Sequence, residues 1–172
     1  MPVLQPLGRG HAPALLEFEL KNRTYFAASI PDRGDDYFAQ FDARLDELLT
    51  DQAAGLLHFH VLVADDGAVL GRVNLVDVEG GSAELGYRIA EEAAGRGLAT
   101  AAVHQICDLA ATAYGLTALR ARTTLDNAGS RAVLARTGFT PIGEIQLSGR
   151  PGLSFVRNLA AARPGDDSPA SP

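Results

Sequence analysis

The chain has 172 residues, 47% of them hydrophobic, enough for one globular domain with a full core. Its net charge of −6 argues against a general nucleic-acid binder, since neutralising phosphates takes clustered Lys and Arg, and favours a cationic amine or a basic protein tail as partner. A single cysteine excludes an intrachain disulfide and fits a reducing cytoplasm. No apolar run approaches the roughly 18 residues of a membrane helix, and the opening Met-Pro-Val-Leu-Gln-Pro lacks the basic-then-apolar pattern of a signal peptide.

In chain order, Val3 to Leu7 reads as a short strand and His11 to Arg23 as a helix, with Pro13 tolerable in its first turn. Residues Ala27 to Gly34 form a loop. A second helix is predicted from Asp35 to Ala54, its apolar side built from Phe38, Phe41, Leu45, Leu48 and Leu49. A strand from Leu56 to Ala64 turns at Asp65-Asp66-Gly67, returns from Val69 to Val78, and turns again at Gly80-Gly81 into Ala83–Ile89. Then come a helix at 99–114, a strand at 117–124, a helix at 128–137 and strands near 139–148 and 153–160. A meander followed by strand–helix alternation predicts an α+β fold, a mixed, mostly antiparallel sheet with helices packed on both faces. One domain is expected over residues 1–160. From 161 to 172 the Pro, Ser and Asp content is that of a disordered tail.

The segment Glu84 to Thr100 is the most informative. A strand passes into the turn Gly95-Arg96-Gly97, which opens onto a strong helix former. Such a turn offers free backbone N–H groups, and the helix dipole makes them attractive to an anion. The third glycine of a dinucleotide fingerprint and the Gly-Lys-Ser/Thr of a Walker loop are both missing. A second landmark is Asn127-Ala-Gly-Ser130-Arg131, running on to Gly138-Phe139. A third is Phe18-Glu19-Leu-Lys-Asn22-Arg23-Thr-Tyr-Phe26, followed by Pro31-Asp-Arg33.

Together, in this order, the three segments resemble the GNAT superfamily of acyl-CoA-dependent N-acetyltransferases, in particular its RimJ/RimL type, which includes ribosomal-protein N-terminal acetyltransferases. The resemblance runs from about Val3 to Leu159. It implies a GNAT fold and acetyl-CoA as co-substrate, with the pyrophosphate on Gly95, Arg96, Gly97, Leu98, Ala99 and Thr100. Main chain at Tyr87, Arg88 and Ile89 would meet the pantetheine arm, a bulge in this strand leaving an N–H to polarise the acetyl carbonyl. Asn127 would bond the pantetheine and Arg131 another coenzyme phosphate. Arg96 and Arg131 also read as solvated arginines, Asn127 and Ser130 as helix caps, and Leu85, Tyr87 and Ile89 as the core face of an alternating strand.

Only a neutral amine attacks a thioester, so a base is expected, and Glu84 is the candidate; a solvent-facing strand carboxylate is the alternative. Where many members carry a tyrosine as general acid, this chain has Leu134, which makes Ser130 the candidate donor. Glu92 departs from the family's Gln or Arg and is expected to face solvent. The acceptor pocket would take one wall from Glu19, Asn22, Arg23, Phe26 and Arg33, with the Glu19 carboxylate binding the charged amine; a charged helix exterior is the other reading. His58 and His60 lack the further ligands a metal needs, and Cys107 falls among core positions, so no metal is expected. The expected acceptor is a protein N-terminus, ribosomal proteins included, or a small amine such as an amino sugar, antibiotic or polyamine. A non-catalytic acyl-CoA sensor is the reading outside this class. The remaining expectations are no nucleic acid, no membrane, and a monomer or homodimer.

Overall fold

The computed structural model describes residues 1–159, so the expected tail at 161–172 lies outside the described residues. Seven strands form one sheet: β1 (Val3–Pro6), β2 (His58–Val63), β3 (Val69–Glu79), β4 (Ser82–Ile89), β5 (Ala118–Thr124), β6 (Thr140–Leu147) and β7 (Arg150–Asn158). Their order is β1-β2-β3-β4-β5-β7-β6, and every neighbouring pair is antiparallel except β4 and β5. The helices are α1 (Ala12–Lys21), α2 (Arg23–Ala27), α3 (Asp35–Ala39), α4 (Phe41–Ala53), α5 (Leu98–Thr112) and α6 (Ala128–Arg136).

Helix α5 forms because Ala102, Val103, Ile106, Cys107 and Ala110 recur at helical spacing and make one apolar stripe. That stripe packs on Val73 and Leu75 of β3, Ala83 and Leu85 of β4, and Leu119 and Ala121 of β5, with Leu134 of α6 alongside. The opposite face of the sheet is covered by α1 to α4: Leu15, Phe18, Phe26, Phe41 and Leu45 pack with Phe59, Val61 and Val69. Each such side chain, fully buried, contributes about 1.5–3 kcal/mol. The sheet thus has an apolar core on each face, as the alternation of the sequence predicts.

Of the two predicted N-terminal helices, the first ends close to its predicted bound and is followed by the unpredicted α2, and the second is broken in two. The first ends at Asn22 (φ −102°, ψ 8°), whose side chain donates to Phe18 O at 2.9 Å and accepts from Glu91 N–H at 3.0 Å. A short amide side chain competes with the helix for backbone partners, and here it ties α1 to the segment after β4. The second breaks at Gln40 (φ −108°, ψ 19°), a bend that brings the Tyr37 and Phe41 rings edge to face at 5.9 Å. Strand β7 begins at Arg150, earlier than expected, because Ser148 and Gly149 alone close its hairpin with β6.

Candidate active site

The parallel ladder between β4 and β5 is short. Ser82, Ala83 and Glu84 pair with Ala118, Leu119 and Arg120, and there it ends. Beyond Glu84, β4 stays paired to β3 as far as Ile89, while β5 follows β7 as far as Thr124. The two strands therefore diverge and leave one edge of β4 open. Ala90 N–H donates to Leu70 O at 2.8 Å, so by the period of two the backbone groups of Leu85, Tyr87 and Ile89 point to the open edge. Arg88 backbone points the other way, to β3. The expected bulge is not in β4: the register shift of this pair falls in β3, between Val76 and Glu79, where Asp77 has φ 51°.

Two spaces meet at the divergence. A cleft of about 440 Å³ lies between the end of β4, the turn before α5 and one face of α6. A chamber of about 550 Å³ lies between β4, β5 and the loop after α2. Tyr87, Arg88, Asn127 and Ser130 line both.

In the cleft, Gly95 and Gly97 have φ of 77° and 74°, a conformation that costs a side-chain-bearing residue roughly 1–2 kcal/mol. A Cβ on either would meet open space, so these glycines answer to backbone conformation and leave the cleft clear. The first intrahelical bond of α5 runs from Ala101 N–H to Gly97 O at 3.0 Å. The N–H groups of Leu98, Ala99 and Thr100 precede it at the positive end of a 15-residue helix, and these residues line the cleft. Arg96 does not line it, because its guanidinium turns back onto Glu92 O. Arg131 does not line it either. The cleft face of α6 is Gly129, Ala132, Val133 and Arg136, at helical spacing, which makes Arg136 the guanidinium that faces the cleft and puts Arg131 off that face. Counting by three and four from Gly129 would have found it. Glu92 pairs with Lys21 at 2.9 Å.

Asn127 caps α6, its Oδ1 accepting from Ser130 N–H at 3.1 Å. Ser130 Oγ lies 3.2 Å from Tyr87 Oη, and either hydroxyl can donate. Burial raises the Tyr87 phenol, against the pull of the Ser130 bond, so it is protonated at neutral pH. Leu134 is buried in the core. The Tyr87 side chain was not expected to take part; nothing in the sequence marks it apart from an ordinary core-face tyrosine.

Glu84 occupies the last paired position of β4, on the face opposite Leu85 and Tyr87. Both of its oxygens engage Arg122, Nε to Oε1 and Nη2 to Oε2, the latter at 3.3 Å. It lines neither space, whereas Arg122 lines the chamber.

The early segment departs most from expectation. Glu19 is 1% exposed and is held by Arg72 at 2.7 Å, Arg33 at 3.0 Å and Arg88 at 3.5 Å. Burial alone would raise its carboxyl, but Arg72 and Arg33 outweigh that and hold it below the usual range. The Glu19 carboxylate thus carries three guanidiniums and anchors the wall from within, instead of facing out from a charged helix exterior. Asn22 serves the helix break described above, and Arg23 clasps Asp32 and Asp35 across the loop, both at 2.8 Å. Phe26 lines the cleft with the Arg88 guanidinium 5.2 Å from its ring centre, and Arg33 reaches the chamber. Four arginines, Arg33, Arg88, Arg122 and Arg150, line the chamber, and among its described lining residues there is no Asp, Glu or His. The negative surplus of the chain lies elsewhere.

His60 is buried on β2, between β1 and β3, its Nε2 2.6 Å from Tyr114 Oη, and the His58 ring stacks on Tyr114 at 3.7 Å. Among the described residues no His, Cys, Asp or Glu group is arranged to hold a metal. Cys107 is buried in the α5 core, which raises its thiol.

A strand splayed from its parallel neighbour beside a glycine-turn helix N-terminus defines a class. Residues 3–140 match the acetyltransferase (GNAT) domain, and the chain belongs to that family. It is an N-acetyltransferase with acetyl-CoA as its co-substrate. Among individual relatives, it is 28% identical over 144 residues to the probable N-acetyltransferase YjcK of Bacillus subtilis, spanning 79% of this chain and 78% of that protein. Mycobacterium smegmatis RimJ in complex with CoA-disulfide superposes with a TM-score of 0.81 at 26% identity, over 90% of this chain and 80% of that one. The ribosomal-protein-S5-alanine acetyltransferase of Vibrio fischeri shares the fold at a TM-score of 0.86 and 21% identity, over 91% and 92% of the two chains.

Proposed function

We propose that this protein acetylates the α-amine of a polypeptide N-terminus by direct attack in a ternary complex, within one domain over residues 1–160 and in the cytoplasm. The observation that carries the reading is the early end of the β4–β5 ladder, which joins the cleft of about 440 Å³ to the chamber at one opening. Among the described residues no helix is long and apolar enough to cross a membrane. Solved structures with this fold include acetyltransferases of a ribosomal-protein alanine and of spermidine; the first supports a protein terminus, and the four arginines of the chamber disfavour the polyamine.

The free N–H groups of Leu98, Ala99 and Thr100 suit a pyrophosphate, with Arg136 as the nearby cation and the open edge at Leu85, Tyr87 and Ile89 suited to the amides of a pantetheine arm. Asn127, on the cap between cleft and chamber, is the further polar contact. An N–H of that open edge polarises the acetyl carbonyl. The amine nitrogen attacks the carbonyl carbon from the chamber, the carbon–sulfur bond breaks, and the thiolate takes a proton from the Tyr87–Ser130 hydroxyl pair. Glu84 receives the amine proton through a water at the divergence, where Arg122 holds its carboxylate. An α-amine, with a reference pKa of about 7.8, costs only about 1 kcal/mol to deprotonate at neutral pH, so a shared, water-linked carboxylate suffices; a lysine would cost roughly 4–5.

The test is thiol release from acetyl-CoA across N-terminal peptides and small amines, with Glu84→Gln in parallel. Turnover on peptides that falls about tenfold or more in the variant is expected. Release with small amines alone would remove the protein acceptor, and tight acetyl-CoA binding without release would indicate a sensor.

A further inference from the structure

Resting on the assignment of the chamber as the acceptor site, we propose that the protein selects an acceptor carrying a carboxylate near its amine, with an acidic second or third residue as the source. The reason is a local charge imbalance. One carboxylate, Glu19, is shared by Arg33, Arg72 and Arg88, so three positive charges meet one negative and two remain in excess. Arg33 and Arg88 belong to this cluster and also line the chamber, with side chains 23% and 18% exposed. The other two chamber arginines are neutralised in place, Arg122 by Glu84 and Arg150 by Asp126.

The excess is felt inside the cluster. Burial, then Arg33, lowers Arg88 to about 10, against the opposing pull of Glu19. A guanidinium in that setting gains from an incoming anion, and a planar carboxylate fits its fork. A polyamine or a Lys- and Arg-rich terminus would instead bring like charge into a chamber lined by four arginines and no carboxylate. The chamber wall also carries a feature suited to an amine: Asn74 Oδ1, buried and without a hydrogen-bond partner among the described residues, on the β3 position opposite Gly86. A buried unpaired acceptor gains from an N–H donor.

The experiment is acetyl-CoA thiol release with amidated peptides that differ only at the second and third residues, Asp-Glu, Ser-Gln or Lys-Arg, alongside spermidine and free glutamate. The Asp-Glu peptide is expected to exceed the Lys-Arg peptide by about tenfold or more in kcat/KM, and added salt to narrow the gap. Arg33→Gln is expected to lower the Asp-Glu over Ser-Gln ratio of kcat/KM about tenfold; thermal melting checks that the variant is folded. Free glutamate outperforming every peptide would keep the carboxylate and move its source from a side chain to an amino acid. Equal or better turnover of Lys-Arg or spermidine would overturn the proposal. Should no acceptor turn over, the same peptides titrated by calorimetry into the CoA-bound protein decide it. Preference for Asp-Glu sustains the charge selection while the acetyl-transfer reading fails, and no preference overturns it.

Discussion

At the residue scale, the hydroxyls of Tyr87 and Ser130 lie 3.2 Å apart at the mouth between the two spaces, and the proposed mechanism uses them as one donor unit. Because Leu134 lies in the core, no tyrosine from α6 competes with them. Tyr87→Phe and Ser130→Ala are each expected to lower kcat about tenfold or more while KM for acetyl-CoA moves little. The double variant should lose about as much as either single one, since removing either hydroxyl breaks the same path. Steady-state kinetics on the four proteins checks this, and multiplicative losses would mean that the two act independently. Ser130 was legible in the sequence from its place after Asn127. The Tyr87 hydroxyl was not, because alternation along β4 assigns it to the core face equally well.

At the element scale, the decisive part is the join between turn and helix. The Gly95-Arg96-Gly97 turn was legible because positive-φ backbone before a helix selects glycine. Which flanking cations serve the cleft was not, because that depends on side-chain direction: Arg96 folds back onto Glu92 O, and Arg136 comes round on α6. A valine at Gly97 would be strained at φ 74° and would project into space that is now open. Gly97→Val is expected to raise KM for acetyl-CoA about tenfold or more, with a smaller effect on KM for the peptide. Unchanged acetyl-CoA affinity in a calorimetric titration would remove the turn from the coenzyme site. The helix ends belong to this scale as well. Asn22 closes α1 through an amide partner, Glu91, that is 69 residues away.

At the scale of the whole molecule, two cores grip one sheet, and distant groups tie its edges to the helices. His60 of β2 is joined to Tyr114, just beyond α5, and burial, then His58, lowers it to about 4. Its unfolded pKa is about 6.5, so between these values the unfolded chain binds more protons than the fold. Stability should be highest above pH ~6.5 and fall as the pH drops through the window towards about 4. His60→Gln should flatten that slope, which urea unfolding across the pH range would test; an unchanged slope would assign the acid sensitivity elsewhere.

The sequence by itself determined the class of fold, the family and the glycine turn that opens α5. Those rest on periodicity, on turn chemistry and on short local motifs, and each is encoded within a few residues of chain. Only the tertiary structure decided the charge of the chamber. Glu19, Arg33, Arg72 and Arg88 come from separate elements, and their summed charge exists only once the sheet brings them together. Net charge, a sum over the whole chain, pointed to a cationic partner. The field inside the chamber depends on which charges are paired at close range, and there the balance is positive.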